Sequence, residues 1–91
     1  SFYNIKFKGR KFVRDRFREA DFSGADISGS IFEECDFSGA MFDGTDLRKA
    51  DLHTSSGYSI DIENNLISKA KFSLSGLPGL LAKYKIDIEG M

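Results

Sequence analysis

Between Ala20 and Leu52 a large apolar residue recurs at every fifth position: Phe22, Ile27, Phe32, Phe37, Phe42, Leu47 and Leu52. Two residues before each stands a small one: Ala20, Ala25, Ser30, Cys35, Ala40, Thr45 and Ala50. The residue between them is usually Asp, at Asp21, Asp26, Asp36, Asp46 and Asp51. A repeat this short constrains the fold more than any other feature of the chain. A step of five turns about 140° around an α-helix, so seven such residues would spread over every face of a helix. On a single long strand an odd step puts successive members on opposite faces. A chain that turns a corner every five residues buries all seven. Within each short straight piece, residues two apart share a side, so the small and the large residue both face inward. The intervening Asp is left to face out or to bond nearby backbone as an Asx turn, and Ser-Gly or Asp-Gly pairs such as Ser23-Gly24 and Asp43-Gly44 mark the corners.

This pattern resembles the pentapeptide-repeat family, whose unit is Ala-(Asp/Asn)-(Leu/Phe)-x-x. The resemblance implies an all-β solenoid: a right-handed, quadrilateral β-helix with one repeat per side and residues twenty apart in columns. Phe2, Phe22, Phe42 and Ile62 then form one column, and Phe7, Ile27, Leu47 and Ile67 the next. Phe12, Phe32, Leu52 and Phe72 form the third, and Phe17 with Phe37 the fourth. Coils stack about 4.8 Å apart, the ordinary strand spacing. The aromatic residues are nine Phe, three Tyr and no Trp, an enrichment that fits an inward ladder better than a binding surface.

Residues 1–74 are read as the β-helix, with regular repeats over 20–52, and residues 75–91 as a C-terminal cap. Residues 1–18 keep the apolar lattice but not the small position, which holds Ile5, Arg10 and Asp15. Two readings stand: an irregular first coil with Arg10 and Asp15 paired inside, or a hairpin turning at Lys8-Gly9. After Leu52 the unit breaks, with Gly57 where a large residue is due, and Phe72 returns to phase. A short helix is expected from Ser75 or Gly76 with Pro78 in its first turn, and residues 85–89 alternate like a strand.

The tail from Tyr58 to Ile88 and the stretch FEECDFSGA are similar to pentapeptide proteins of the quinolone-resistance and microcin-immunity type. That similarity implies a two-fold homodimer through Leu80, Leu81, Tyr84, Ile86 and Ile88, against the alternative that these side chains pack only on their own last coil. It also implies DNA mimicry: an acidic rod that meets the DNA channel of gyrase or topoisomerase IV and protects the enzyme from inhibitors.

Charge bears on that reading. Residues 1–18 carry seven bases against Asp15, whereas residues 19–47 carry eight acids and no base. The acids outside the repeated Asp position, Glu19, Glu33, Glu34 and Asp43, are the candidate acidic surface. The basic first stretch and the net charge of −1 count against mimicry. A generic structural or interaction module without topoisomerase activity is the alternative. Direct nucleic-acid binding through the basic stretch is disfavoured, because its Phe residues belong to the core lattice and are not free to stack on bases. One His and one Cys leave neither a metal cluster nor a disulfide, and no phosphate loop is present. The chain is read as non-enzymatic and without a cofactor. No apolar run reaches membrane-spanning length. The chain opens on Ser1 and is read as a cytoplasmic protein, or a piece of one.

Overall fold

A computed structural model describes residues 1–90. Its organising feature is a register of twenty. The parallel strands β1 (Lys11–Val13) and β2 (Ile31–Glu33) pair Phe12 with Phe32. Isolated parallel bridges repeat that offset at Lys6–Asp26, Arg16–Asp36, Asp21–Met41, Asp26–Asp46, Asp36–Ser56, Asp46–Leu66 and Asp51–Lys71. Each coil is therefore twenty residues and contains four five-residue units, and the coils stack as a β-helix. Strands stay short because every unit spends its remaining residues on a corner. Corner bonds from amide to carbonyl three residues back recur at Ala20–Phe17, Ala25–Phe22, Ala40–Phe37, Ala50–Leu47 and Ala70–Ile67.

The first coil is part of this stack. Phe2, Phe7 and Phe17 donate their amides to the carbonyls of Asp21, Asp26 and Asp36, which excludes the hairpin reading of residues 1–18. Arg10 and Asp15 are both exposed and not paired inside. The Arg10 guanidinium instead lies over the Phe7 ring, 5.2 Å from its centre. An inward pair would have had to lose its hydration with no further partners in the core.

Inside, Phe22, Ile27, Phe32, Phe37, Phe42, Leu47 and Leu52 are buried, and Phe72 is half-buried at the upper end. Rings in one column stack nearly parallel: Phe2–Phe22 at 5.0 Å and 8°, Phe22–Phe42 at 5.3 Å and 7°, Phe12–Phe32 at 5.1 Å and 9°. Rings in adjacent columns meet edge to face, as at Phe17–Phe22 (5.4 Å, 69°). Both arrangements suit the aromatic quadrupole and add about 0.5–1.5 kcal/mol per pair beyond burial.

The lattice slips at Gly57. Its φ is +81°, and a Cβ there would lie 2.9 Å from the Ser38 amide nitrogen, so no side chain fits. Tyr58 fills the fourth column instead, 5% exposed, with its ring against Phe72. The cap follows: 3-10 turns at Leu74–Gly76 and Ala82–Tyr84 flank a single helical turn, α1 (Pro78–Leu81), with Pro78 in its first turn. Gly79 accepts a bond from the Ile60 amide and Leu80 closes the core. Residues 85–89 form no strand, because no neighbouring backbone lies in register with them to complete a ladder.

Candidate interaction surfaces

The repeated Asp serves the corners. Asp21, Asp26, Asp36, Asp46, Asp51 and Asp61 each accept the amide two residues on, at 2.9–3.1 Å. Hydrogen bonds to the charged carboxylate hold several of these groups below the usual range. The Ser23 hydroxyl does so at Asp21, the Ser38 hydroxyl and then Arg18 at Asp36, and Arg48 at Asp46. At Asp51 burial pushes upward, and the bonds from His53 outweigh it.

A second device works between coils. Polar residues in the small position reach the coil below. The hydroxyls of Ser30, Thr45 and Ser55 donate to the carbonyls of Phe7, Phe22 and Phe32, and the Asn65 amide donates to Phe42. Ser30, Ser55 and Asn65 also accept from the amides of Arg10, Cys35 and Thr45. Cys35 sits in the same position, buried, and desolvation raises its thiol pKa. A protonated, enclosed thiol is not a nucleophile.

Twenty-residue stacking sends the candidate acids to different places. Glu33 is in the third column, within 3.8 Å of Lys11 below it, and Glu34 is at the next corner, 3.3 Å from Arg14. Asp36 lies 2.6 Å from Arg18. The contrast between a basic stretch and an acidic one thus becomes a set of vertical ion pairs between the first and second coils. Glu19 stands exposed at the corner entering the first column, and Asp43 is exposed within it, held by the Asn64 amide.

The first column is where carboxylates gather. Asp21, Asp43, Asp61 and Glu63 lie on its units, which contain no base. Lys83 of the cap reaches in to Asp61 (3.0 Å) and Glu63 (2.6 Å), and the Tyr84 hydroxyl donates to Glu63 (2.6 Å). The Lys83 bonds lower the pKa of both carboxylates. Tyr3 and Met41 are exposed on the same column. Spacing alone set Asp21 and Asp61 aside as repeat-position residues and Glu63 as part of a turn, so none was counted as a surface member. Writing the sequence in rows of twenty places Glu63 under Asp43, and Asp21 and Asp61 on the same units two positions earlier.

The residues expected to dimerise divide. Leu80 is buried in the core cluster and is not available to a partner, because α1 turns it down onto the open end of the last coil. Leu81 is half-buried, and Tyr84, Ile86 and Ile88 are exposed. With Leu74 (86% exposed), Leu77, Pro78 and Leu81, the two isoleucines line an apolar groove. Leu74 and Leu77 were not among the residues expected to dimerise, although Leu77 was expected on the apolar face of the short helix with Leu80, Leu81 and Tyr84. Among the described residues no group of three His, Cys, Asp or Glu could hold a metal, and no helix is long and apolar enough to cross a membrane.

Residues 16–53 match the family model described as Pentapeptide repeats, in eight copies. Two solved structures of QnrB1, a plasmid-mediated fluoroquinolone resistance protein, superpose on the chain. The trypsin-treated R167E form gives a TM-score of 0.46 at 15% identity over 87% of this chain, and the trypsin-treated M102R form 0.47 at 20% over 97%. The chain spans 45% of the length of each. No curated protein matches the sequence.

Proposed function

Residues 16–53 are pentapeptide repeats, and on that premise we propose that the chain is a non-enzymatic binding protein whose acidic first column docks on the basic, DNA-binding surface of a partner. The partner class is a type II topoisomerase, gyrase or topoisomerase IV, in the cytoplasm, and the outcome is protection from inhibitors. The fold of this reading is the right-handed, four-sided β-helix. The twenty-residue register with four corners per coil supports it, as does the strong right-handed preference of parallel crossovers.

The observation that carries the reading is the column of Asp21, Asp43, Asp61 and Glu63 on units without a base, a face that stays net negative with Lys83 of the cap set against Asp61 and Glu63. Rigid carboxylates facing a cationic channel steer encounter and fix register. The molecule measures 36 × 24 × 24 Å, about ten base pairs of duplex in length. The exposed Leu74, Ile86 and Ile88 support a homodimer through the cap, which would double that length. Sedimentation of the wild type against Ile86→Glu/Ile88→Glu tests the dimer, and a monomeric wild type rules it out.

The pairing of Glu33, Glu34 and Asp36 with first-coil bases favours a second reading, an interaction module without topoisomerase activity. A gyrase supercoiling assay with and without a quinolone separates the two. Protection by the wild type, lost in Glu19→Lys/Asp43→Lys and kept in Glu33→Lys/Glu34→Lys, supports the first column as the docking surface. A folded wild type with no effect on supercoiling or on quinolone action removes the topoisomerase.

A further inference from the structure

The second column is the electrostatic opposite of the first. Its units and their corners carry Lys6, Lys8, Arg48, Lys49 and Lys69 against Asp26 and Asp46. Both carboxylates are committed to their own corners. Asp26 accepts the amide and hydroxyl of Ser28, and Asp46 takes the amide and guanidinium of Arg48. Lys6, Lys8, Lys49 and Lys69 have no ion pair among the described residues. Lys8, Arg48 and Lys49 wall a shallow groove of about 320 Å³ floored by Gly9, Ser28 and Gly29.

The left-handed corner conformation recurs in every column, at Asn4, Arg14, Glu19 and Glu34 among others, and in the second column lysines hold it. One corner position reads Gly9, Gly29, Lys49, Lys69 in successive coils, all with positive φ. Both lysines hold φ of +62°, a left-handed conformation that disfavours any residue with a Cβ. At Arg14 and Glu34 the same strain accompanies an ion pair. At Lys49 and Lys69 it accompanies two like charges in consecutive coils, a repulsion that a bound anion would offset.

We propose that this column binds the phosphate backbone of duplex nucleic acid, with Lys8, Lys49 and Lys69 as the phosphate contacts and the glycine floor giving the phosphates access. The column exposes no aromatic side chain, so it offers no stacking platform for single-stranded bases. Its one exposed large apolar residue is Leu66, too little to anchor an acidic protein segment. The inference does not rest on the topoisomerase reading, which concerns a different column.

The test is fluorescence anisotropy of a short labelled DNA duplex titrated with the full chain. Three phosphate contacts predict affinity falling about 40-fold between 50 and 200 mM salt. Lys8→Gln/Lys49→Gln/Lys69→Gln is expected to weaken binding at least tenfold, and Arg10→Gln/Arg16→Gln to leave it unchanged. Lys49→Gly/Lys69→Gly guards against simple unfolding, since it relieves the strained corners and is expected to raise the melting temperature while weakening binding. Absence of binding at low salt, equal binding by the lysine variants, or tighter binding of polyglutamate than of the duplex overturns the proposal.

Discussion

The Ser55 hydroxyl accepts the Cys35 amide at 3.0 Å, taking the bond that would otherwise close the Phe32 corner. The same oxygen donates to the Phe32 carbonyl at 2.6 Å. A side chain from one coil thus completes a turn in the coil below, and both bridged groups are buried with it. Asn65 does the same at the Phe42 corner.

Ser55→Ala is therefore expected to destabilise the fold by about 1–3 kcal/mol, the cost of leaving buried backbone groups without partners. Ser56→Ala, at the exposed neighbouring position, is expected to change stability by less than about 0.5 kcal/mol. Urea unfolding monitored by circular dichroism measures both. Equal effects would mean that the Phe32 corner closes on itself when Ser55 is removed.

Phe37→Ala removes a ring that stacks on Phe17 and meets Phe22, Phe32 and Phe42. The expected loss is about 3–5 kcal/mol, a large share of a small domain's stability. Phe7→Ala, in the outermost coil and half-buried, should cost less. Thermal melts of the two variants give the comparison.

Tyr58→Phe should be neutral or stabilising by up to about 1 kcal/mol. The Tyr58 hydroxyl is buried without a hydrogen-bond partner among the described residues, so its removal deletes an unmet polar group and keeps the ring against Phe72. A lower unfolding midpoint for this variant would reveal a partner for the hydroxyl, such as a bound water.

Stability should fall as pH drops below about 4, the unfolded carboxylate range. Asp21, Asp36, Asp46, Asp51, Asp61 and Glu63 all have folded pKa values below their unfolded ones. The unfolded chain therefore binds more protons there, and stability rises with pH through that range and is lost as pH falls through the folded values. Urea midpoints between neutral pH and pH 3 measure it. Lys83→Ala should flatten the dependence by removing the shared partner of Asp61 and Glu63.

Much of the fold could be read from the chain because a five-residue unit is a local object. Which side of a corner Phe22 or Asp21 faces depends on residues within two or three positions, so the core ladder and the Asx bonds follow from spacing alone. The break at Gly57 was visible too, but its cause lies one coil back, in the Ser38 backbone that excludes a Cβ. The candidate acidic surface was half-legible. Asp43 and Glu19 stay exposed at or beside the first column, while Glu33 and Glu34 leave it for ion pairs with Lys11 and Arg14. No local pattern announces those pairs, because charges eighteen to twenty-two residues apart meet only when coils stack in a fixed register.

The sequence by itself determined the five-residue unit, its corners and which residues turn inward, since these rest on local backbone geometry and hydrophobic burial; the twenty-residue coil was what the family resemblance implied. Tertiary stacking decided which charges meet, which corners borrow a side chain from above, and that Leu80 plugs the core while Ile86 and Ile88 remain outside. Those outcomes depend on the coil-to-coil register and on how the cap closes the last coil, and each contact joins residues that five-residue spacing treats as independent.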